Sequence, residues 1–400
     1  MMTMEHFEEA CEAVKRVTAP TKLVYSNFFS DLTGNKVYLK PENMQFTGAY
    51  KVRGAYYKMS TLTEEERKKG IITASAGNHA QGVAYAAKKY GAKAIIVMPT
   101  TTPLIKVNRT KGYGAEVCLV PGVYDDAYKK ALELQAEYGY TLVHPFDHPQ
   151  VIAGQGTIGL EILEDMPDVD TVIVPIGGGG LISGVAYAIK TLKPSVKVYG
   201  VQAEGAPSMV KSLESGHILR LSEVSTIADG IAVKEPGVNT FDLCQKYVDE
   251  VVTVSEDEIA AAILALIEQQ KLVAEGAGAV SVAAAMFNKI PVEGKKVVCV
   301  VSGGNIDVNF LNRVITRGLT KSGRNCSFTI KLYDKPGQLS AVCSIIARLG
   351  GNIISVNHER TNAGTHITGC TIRVTLETRN VDHIATILAG LTDAGYEVID

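Results

Sequence analysis

The chain has 400 residues, enough for two or three domains with sizeable cores. Hydrophobic residues make up 46%, charged residues 20%, and the formal net charge is -2, a balance that suits a globular protein in water and gives no basic surface for nucleic acid or a membrane. The N-terminus has no basic start followed by an apolar run, so no signal peptide is expected, and no apolar stretch approaches the length of a membrane span.

Residues 4–18 have helical spacing, closed by Thr18-Ala19-Pro20-Thr21. A short strand is expected at Lys36–Lys40. The stretch Met44–Lys58 reads as a loop into a helix, with Thr47 or Gly48 near the cap. Lys51 falls at the start of that helix, where the dipole disfavours a cation. A solvated surface lysine is the ordinary outcome. A lysine kept neutral for chemistry by its surroundings is the other reading.

From Gly70 strands and helices alternate. Strands are expected at Ile71–Ala74, Ala92–Met98, Glu116–Val120 and Thr141–Val143, with helices between them. This is βαβα grammar, hence a parallel sheet with helices on its faces and ligands at the carboxyl ends of strands. Ser75-Ala76-Gly77-Asn78-His79 lies at one such end, a small-residue loop opening a helix and so an anion-capable site. His79 alone is as compatible with a packed or capping role.

Near residue 150 a second α/β run begins, with strands at Thr171–Ile176, Val196–Ala203, Val251–Val254 and Lys296–Val301 and a helix at Asp257–Gln270. Between the first two strands stand Gly177, Gly178, Gly179 and Gly180, followed at once by the apolar helical stretch from Leu181. Glycines let a ligand approach the main chain, and the free N–H groups of the following helix start favour an anion. The stretch fits neither G-x-G-x-x-G nor the P-loop with its lysine. It reads as a phosphate cup, against the plain alternative of a tight turn. Ser302-Gly303-Gly304-Asn305-Ile306-Asp307 closes the last strand, so three Gly- or Ser-rich loops can surround one polar small molecule.

Residues 318–326 are polar and form a candidate linker. Beyond them, strands at Phe328–Tyr333, Ile353–Glu359 and Thr371–Glu377, a turn at Thr361–Gly364, two helices and a short strand at Tyr396–Ile399 spell βαββαβ, a ferredoxin-like module. Seven cysteines (11, 118, 244, 299, 326, 343, 370) show no C-x-x-C pair. Free thiols in a reducing cytoplasm are expected, buried at Cys118 and Cys299.

Four motifs occur in order: Phe46-Thr-Gly-Ala-Tyr-Lys51-Val-Arg-Gly54, Ser75-Ala-Gly-Asn-His-Ala-Gln-Gly82, Gly177-Gly-Gly-Gly-Leu181 and Ser302-Gly-Gly-Asn-Ile-Asp307. They closely resemble the threonine dehydratases (threonine ammonia-lyases), within the tryptophan-synthase-β-like class of pyridoxal-phosphate enzymes. The resemblance covers roughly residues 5–320. Where the family usually has Ser-Phe-Lys, this chain has Ala49-Tyr50-Lys51, keeping the lysine and an aromatic. The tail resembles an ACT domain through its Lys-Pro-Gly-Gln-Leu turn.

The resemblance implies an α/β fold: a two-subdomain parallel-sheet core of pyridoxal-phosphate fold type II over 1–320, with a small subdomain of about 48–150 inserted in the larger, and an ACT module over 327–400. It implies pyridoxal 5'-phosphate as cofactor. Lys51 would form the Schiff base with its aldehyde, Gly177–Gly180 and Leu181 would hold the phosphate, Ser302 would face the pyridine nitrogen and Asn78 the phenolic oxygen, with Phe46 also at the cofactor. Ser75, Ala76, Gly77, Asn78 and His79 would receive the substrate carboxylate. L-Threonine would give 2-oxobutanoate and ammonia, and L-serine pyruvate. Related serine racemases carry a second serine where this chain has Ala76, so little racemisation is expected. Glu204 resembles a metal-binding acid of the racemases, but Gly205-Ala206-Pro207-Ser208 lacks the second acid; a monovalent cation and a solvated glutamate remain as alternatives. Isoleucine, or else an adenine nucleotide, is the expected effector, with Asp334, Gly337, Gln338, Leu339 and Asn352 at a contact between two ACT modules of a dimer or tetramer. Two other readings are a serine dehydratase or racemase on the same scaffold and a catalytically dead amino-acid sensor; the retained Lys51, Asn78, glycine loop and Ser302 argue against the sensor.

Overall fold

A computed structural model describes residues 2–360 and 368–399, and the turn expected at Thr361–Gly364 lies outside them. The chain divides into two compact units between Ile306 and Asp307. Strands in chain order are β1 (Val24–Tyr25), β2 (Lys36–Lys40), β3 (Ile71–Ala74), β4 (Ala94–Pro99), β5 (Glu116–Val120), β6 (Thr141–Leu142), β7 (Thr171–Pro175), β8 (Lys197–Ala203), β9 (Glu250–Val254), β10 (Lys296–Val300), β11 (Asn325–Tyr333), β12 (Asn352–Glu359), β13 (Gly369–Glu377) and β14 (Glu397–Val398).

The first unit holds two sheets. The larger has the order β1-β2-β10-β7-β8-β9 and is parallel except for the short edge strand β1. The smaller, β5-β4-β3-β6, is wholly parallel. Every residue of β3, β4 and β7 is buried. That is why these strands read as continuous apolar runs and not as alternating ones: helices cover both faces. Helix Val52–Ser60, which Lys51 precedes, lies so close to helix Pro149–Asp165 that a Cβ on Gly154 would stand 2.6 Å from the Gly54 Cα.

The same two helices are tied by buried charge. Arg53 donates to both carboxylate oxygens of Glu42 at 2.8 Å, to Glu161 at 2.6 and 2.9 Å and to Thr157 Oγ1 at 3.0 Å. Lys40 reaches Glu161 at 2.5 Å. Arg53 and Glu42 have no exposed side-chain surface, so the pair persists only because nearly every polar valence is filled.

The second unit opens with helix Val308–Lys321, capped by Asp307 Oδ1 on the N–H groups of Asn309 and Phe310. Its sheet has the order β12-β13-β11-β14, all antiparallel. Helices Gln338–Arg348 and Val381–Asp393 pack Val342, Ile346, Ile387 and Leu391 onto Ile330, Leu332, Ile372 and Val374. Register sets the two ends of this sheet: Asn325 and Asn352 both pair with Glu377, while Tyr333 pairs with Gly369 and Glu359 with Thr371.

Three expectations are corrected. The linker at 318–326 shrinks to 322–324, because 318–321 complete an amphipathic helix that tolerates Gly318 and Asn325-Cys326 already pair with β13. The helix expected over 257–270 is α-helical for Glu256–Ala265 and widens to a π turn over Leu266–Gln270, ended by Lys271 at φ 58°. Cys299 is buried, but Cys118 is only half-buried, since β5 is an edge strand; all seven cysteines are free thiols.

Candidate active site

The strand ends at 75, 177 and 302 meet, and the contacts between them close into a ring. Lys51 Nζ donates to the Pro145 carbonyl at 2.8 Å. The next residue, Phe146, covers the glycine loop: a Cβ on Gly178 would lie 2.5 Å from its ring, and one on Gly180 2.8 Å from its carbonyl. At the other end of the loop, a Cβ on Gly177 would lie 3.0 Å from Ile231 Cα. The neighbouring Gly230 approaches Glu275 and Asn78. Asn78 Nδ2 stands 3.1 Å from the Cβ position of Gly303. Tyr50 N donates to the Ser302 carbonyl at 3.1 Å, and Ala49 bridges to Gly303. That returns the circuit to Lys51.

Each stop on the ring is set locally. Gly179 is the N-cap of helix Gly180–Leu192 at φ 97°, with no side-chain cap bond. Its first-turn N–H groups are therefore available to an anion. Gly77 likewise caps helix Asn78–Lys89 without a side-chain bond, and the Ser75 hydroxyl is turned back to accept from Gly77 N at 3.2 Å. Ala76 brings no hydroxyl to this loop. Ser302 Oγ, 3% exposed, donates to the Ala277 carbonyl at 3.2 Å.

Burial lowers the Lys51 ammonium to about 8, with the Glu275 charge pulling the other way. A substantial neutral fraction near pH 8 makes it a competent nucleophile and base. Burial raises Glu275 to about 7, reinforced by Asp229 and opposed by its hydrogen bond from Asn78 and by Lys106. Burial, helped by Lys51, drives His79 down to about 3. Its Nε2–H donates to the Val143 carbonyl at 2.9 Å, which fixes the neutral ring as a packing element and leaves Nδ1 without a hydrogen-bond partner among the described residues.

A phosphorylated pyridine aldehyde fits this ring on three observations. The uncapped helix start suits its phosphate, glycines at 178 and 179 leave the main chain open to close approach, and the desolvated Lys51 suits its aldehyde. The structure thus brings together Lys51, Asn78, Gly177–Gly180, Leu181, Ser302 and the 75–79 loop.

Phe46 is not brought in. It is 60% exposed, its ring lies 6.4 Å from Tyr85, and its carbonyl accepts from Tyr113 Oη. The helix containing Arg53 begins only at Val52, which leaves 46 in the preceding loop; the aromatic beside Lys51 is Tyr50, its ring centroid 5.4 Å from Nζ. Glu204 is exposed at the end of β8. Among the described residues, three metal-type donors come within mutual reach only at Asp334, His358 and Cys370, so Glu204 is not in such a group. In the second unit Asp334, Gly337, Gln338 and Leu339 lie together at one end, with Asp334 paired to Arg360 at 3.3 Å. Asn352 lies at the opposite end, bonded to Glu377.

Sequence reasoning missed Pro145, Phe146 and Glu275 as site residues. Nothing local marks the first two, which follow a two-residue strand. Glu275 had a signal: an acid directly before Gly276-Ala277-Gly278 at a helix start.

Residues 14–303 match the family described as pyridoxal-phosphate dependent enzyme, and residues 327–393 match the ACT domain. The chain is similar to an L-threonine ammonia-lyase of Thermotoga maritima, 53% identical over 398 residues, covering 100% of this chain and 99% of that protein. Among solved structures it is similar to the processed form of threonine deaminase isoform 2 from Solanum lycopersicum, with TM-score 0.75 and 42% identity over 78% of this chain and 87% of that one. It is also similar to maize serine racemase, with TM-score 0.75 and 35% identity over 80% and 98% of the two chains.

Proposed function

This chain belongs to the pyridoxal-phosphate dependent enzymes and ends in an ACT domain, and on that premise we propose that it is an L-threonine ammonia-lyase. It converts L-threonine to 2-oxobutanoate and ammonia, and L-serine to pyruvate and ammonia. The observation that carries the reading is the desolvated Lys51 amine on the same ring of contacts as the uncapped glycine loop.

When bound, the cofactor accepts the electron pair left as the Cα–H bond breaks. The protein's part is position and proton management. The N–H groups of 177–181 hold the phosphate. The helix start at 77–79 receives the substrate carboxylate. With the cofactor bound, Lys51 would be the base that removes the Cα proton, and its lowered affinity for that proton keeps a base available near neutral pH. Ser302 offers a hydroxyl and no negative charge to the pyridine nitrogen, which favours prompt loss of the β-hydroxyl over reprotonation at Cα. Water then releases ammonia from the dehydrated product, so no net water is consumed.

Ala76 decides between this reading and a racemase, because reprotonation from the opposite face needs a donor that its methyl group cannot supply. The ACT module is read as an allosteric domain answering to isoleucine, with an adenine nucleotide as the second candidate. The reading puts the reaction either at the first step toward isoleucine or in threonine catabolism, in the cytoplasm, carried out by a dimer or tetramer. Among the described residues no helix is long and apolar enough to cross a membrane.

The test is a 2-oxobutanoate assay on threonine with and without isoleucine or AMP, alongside a chiral assay for D-serine. A visible cofactor band lost in Lys51→Ala, threonine turnover and negligible D-serine support the reading. A band without turnover would turn it into the sensor; abundant D-serine would turn it into the racemase.

A further inference from the structure

The ring contains a hydrogen-bond chain whose direction is fixed at every link. The Thr47 carbonyl can only accept, so the Asn305 atom 2.7 Å from it is Nδ2. Arg109 Nη1 can only donate, and it lies 3.2 Å from Asn305 Oδ1, which agrees. Asn305 Nδ2 has a second hydrogen and places it on Asn78 Oδ1 at 2.8 Å. The Asn78 amide is thereby oriented, and its Nδ2 faces Glu275 Oε1 at 2.5 Å. Only an acceptor can close the chain there. A glutamine could present either end of its amide; a carboxylate can accept through both oxygens. One hydrogen of Asn78 Nδ2 remains.

The surroundings are shaped for this carboxylate. A Cβ on Gly303 would stand 2.4 Å from Glu275 Oε1 and 3.1 Å from Asn78 Nδ2, so residue 303 has to be glycine for the acid to reach. Glu275 is 4% exposed, and its own N–H donates to the Gly303 carbonyl at 3.0 Å. The charged groups that act on it are Asp229, Lys106, itself paired to Asp229 at 2.5 Å, and Lys51. An acid buried here is costly, and packing alone would be served by a neutral residue.

We propose that Glu275 is a positioning residue that terminates this one-way chain and so reserves the remaining Asn78 N–H for the phenolic oxygen of the bound cofactor. The inference rests on the cofactor reading above. Without Glu275 the Asn78 amide loses its acceptor and swings about its Asn305 bond, and the phenolic oxygen loses an oriented donor. That oxygen shares its proton with the imine nitrogen, so the visible band and its pH dependence report on it directly.

The experiment is a cofactor titration and a pH titration of the visible band in wild type, Glu275→Ala, Glu275→Gln, Asn78→Ala and the double alanine variant. Losing the hydrogen bond that orients Asn78 predicts a cofactor Kd up to about tenfold weaker in Glu275→Ala, with the band's midpoint moved by up to about one pH unit. Glu275→Gln, which can still accept, should recover most of both. In the Asn78→Ala background the Glu275→Ala change should add nothing further. If Glu275→Ala does not fold, Glu275→Asp withdraws the carboxylate by one methylene and reads the same chain, with about a threefold weaker Kd expected. Wild-type Kd and band in Glu275→Ala, or in Glu275→Asp where the alanine variant does not fold, or a full second loss in the Asn78→Ala background, overturns the proposal. A wild-type protein with no Lys51-dependent band would instead remove the cofactor reading, so the two failures are distinct.

Discussion

Alanine at Gly178 and at Gly179 separates a ligand cup from a plain turn, because the two positions carry different burdens. Gly179 sits at φ 97°, where a side chain costs about 1–2 kcal/mol. Its added Cβ would stand 2.7 Å from Thr240 Cβ and 2.9 Å from Met209 Cε, both buried, and overpacking of this kind costs about 1–3 kcal/mol more. Gly179→Ala should therefore lower apoprotein stability by about 2–5 kcal/mol. Gly178 carries no left-handed strain. Its Cβ would meet the Phe146 ring at 2.5 Å, a side chain able to rotate, so the apoprotein should lose about 1 kcal/mol, the low end of the overpacking range. The phosphate, however, would lose close approach to at least one N–H. A hydrogen bond to a charged group is worth about 1.5–3 kcal/mol, which is about 10- to 150-fold in Kd. Thermal unfolding of the apoprotein and absorbance titration with pyridoxal phosphate measure the two quantities separately. If Gly178→Ala costs as much stability as Gly179→Ala and leaves the cofactor Kd unchanged, the loop is a turn and the phosphate sits elsewhere.

Lys51 gives a pH prediction. Burial holds it near 8 in the folded apoprotein against about 10.4 unfolded, so between those values the unfolded chain binds more protons and apoprotein stability rises with pH. Lys51→Met should flatten that rise, and the rate of cofactor capture, which needs the neutral amine, should climb through about pH 8; a flat rate from about pH 6.5 to about pH 9 contradicts it. Arg53→Ala should destabilise by about 3–5 kcal/mol in denaturant titrations, since it strands Glu42 without its partner; a loss under about 1 kcal/mol would show that water replaces the guanidinium. In the ACT unit, Asn352 and Asp334 lie at opposite ends of the sheet, about 30 Å apart for nine register steps. An effector touching both must bridge two chains, so isoleucine inhibition should disappear in Asn352→Ala and in any monomeric fraction resolved by sedimentation; inhibition of monomers refutes the shared site.

What the sequence revealed and what it hid follow from range. The strand–loop–helix units at 75, 177 and 302 are local, and β-branched runs ending in glycines mark them without any long-range knowledge. The helix Glu64–Lys69 is local too but invisible to apolar periodicity: its sequence is Glu-Glu-Glu-Arg-Lys-Lys, and a Thr63–Glu66 capping box holds it. Phe46 was misplaced because a motif lists residues in order and does not say where the helix starts. Phe146 could not be found locally, nor could the partner of Glu275, since parallel crossovers carry these residues to Gly178 and Asn78 across 32 and 197 residues of chain.

The polar side chains around Arg53 and those around Lys51 differ in how completely they are satisfied. Around Arg53 nearly every valence is filled: Glu42 accepts from Thr21, Gln45 and Arg53, and Glu161 from Arg53 and Lys40. Around Lys51 valences are left open. Its amine has the Pro145 carbonyl as hydrogen-bond partner where an ammonium could make three bonds, Asn78 keeps one N–H, and the buried His79 Nδ1 has no partner among the described residues. Lys51 stands at the N-cap of helix Val52–Ser60, and the Arg53 network pins that helix two residues on. A bound ligand that fills these valences binds the folded chain alone, so the holoprotein should be more stable than the apoprotein, and increasingly so with free cofactor concentration.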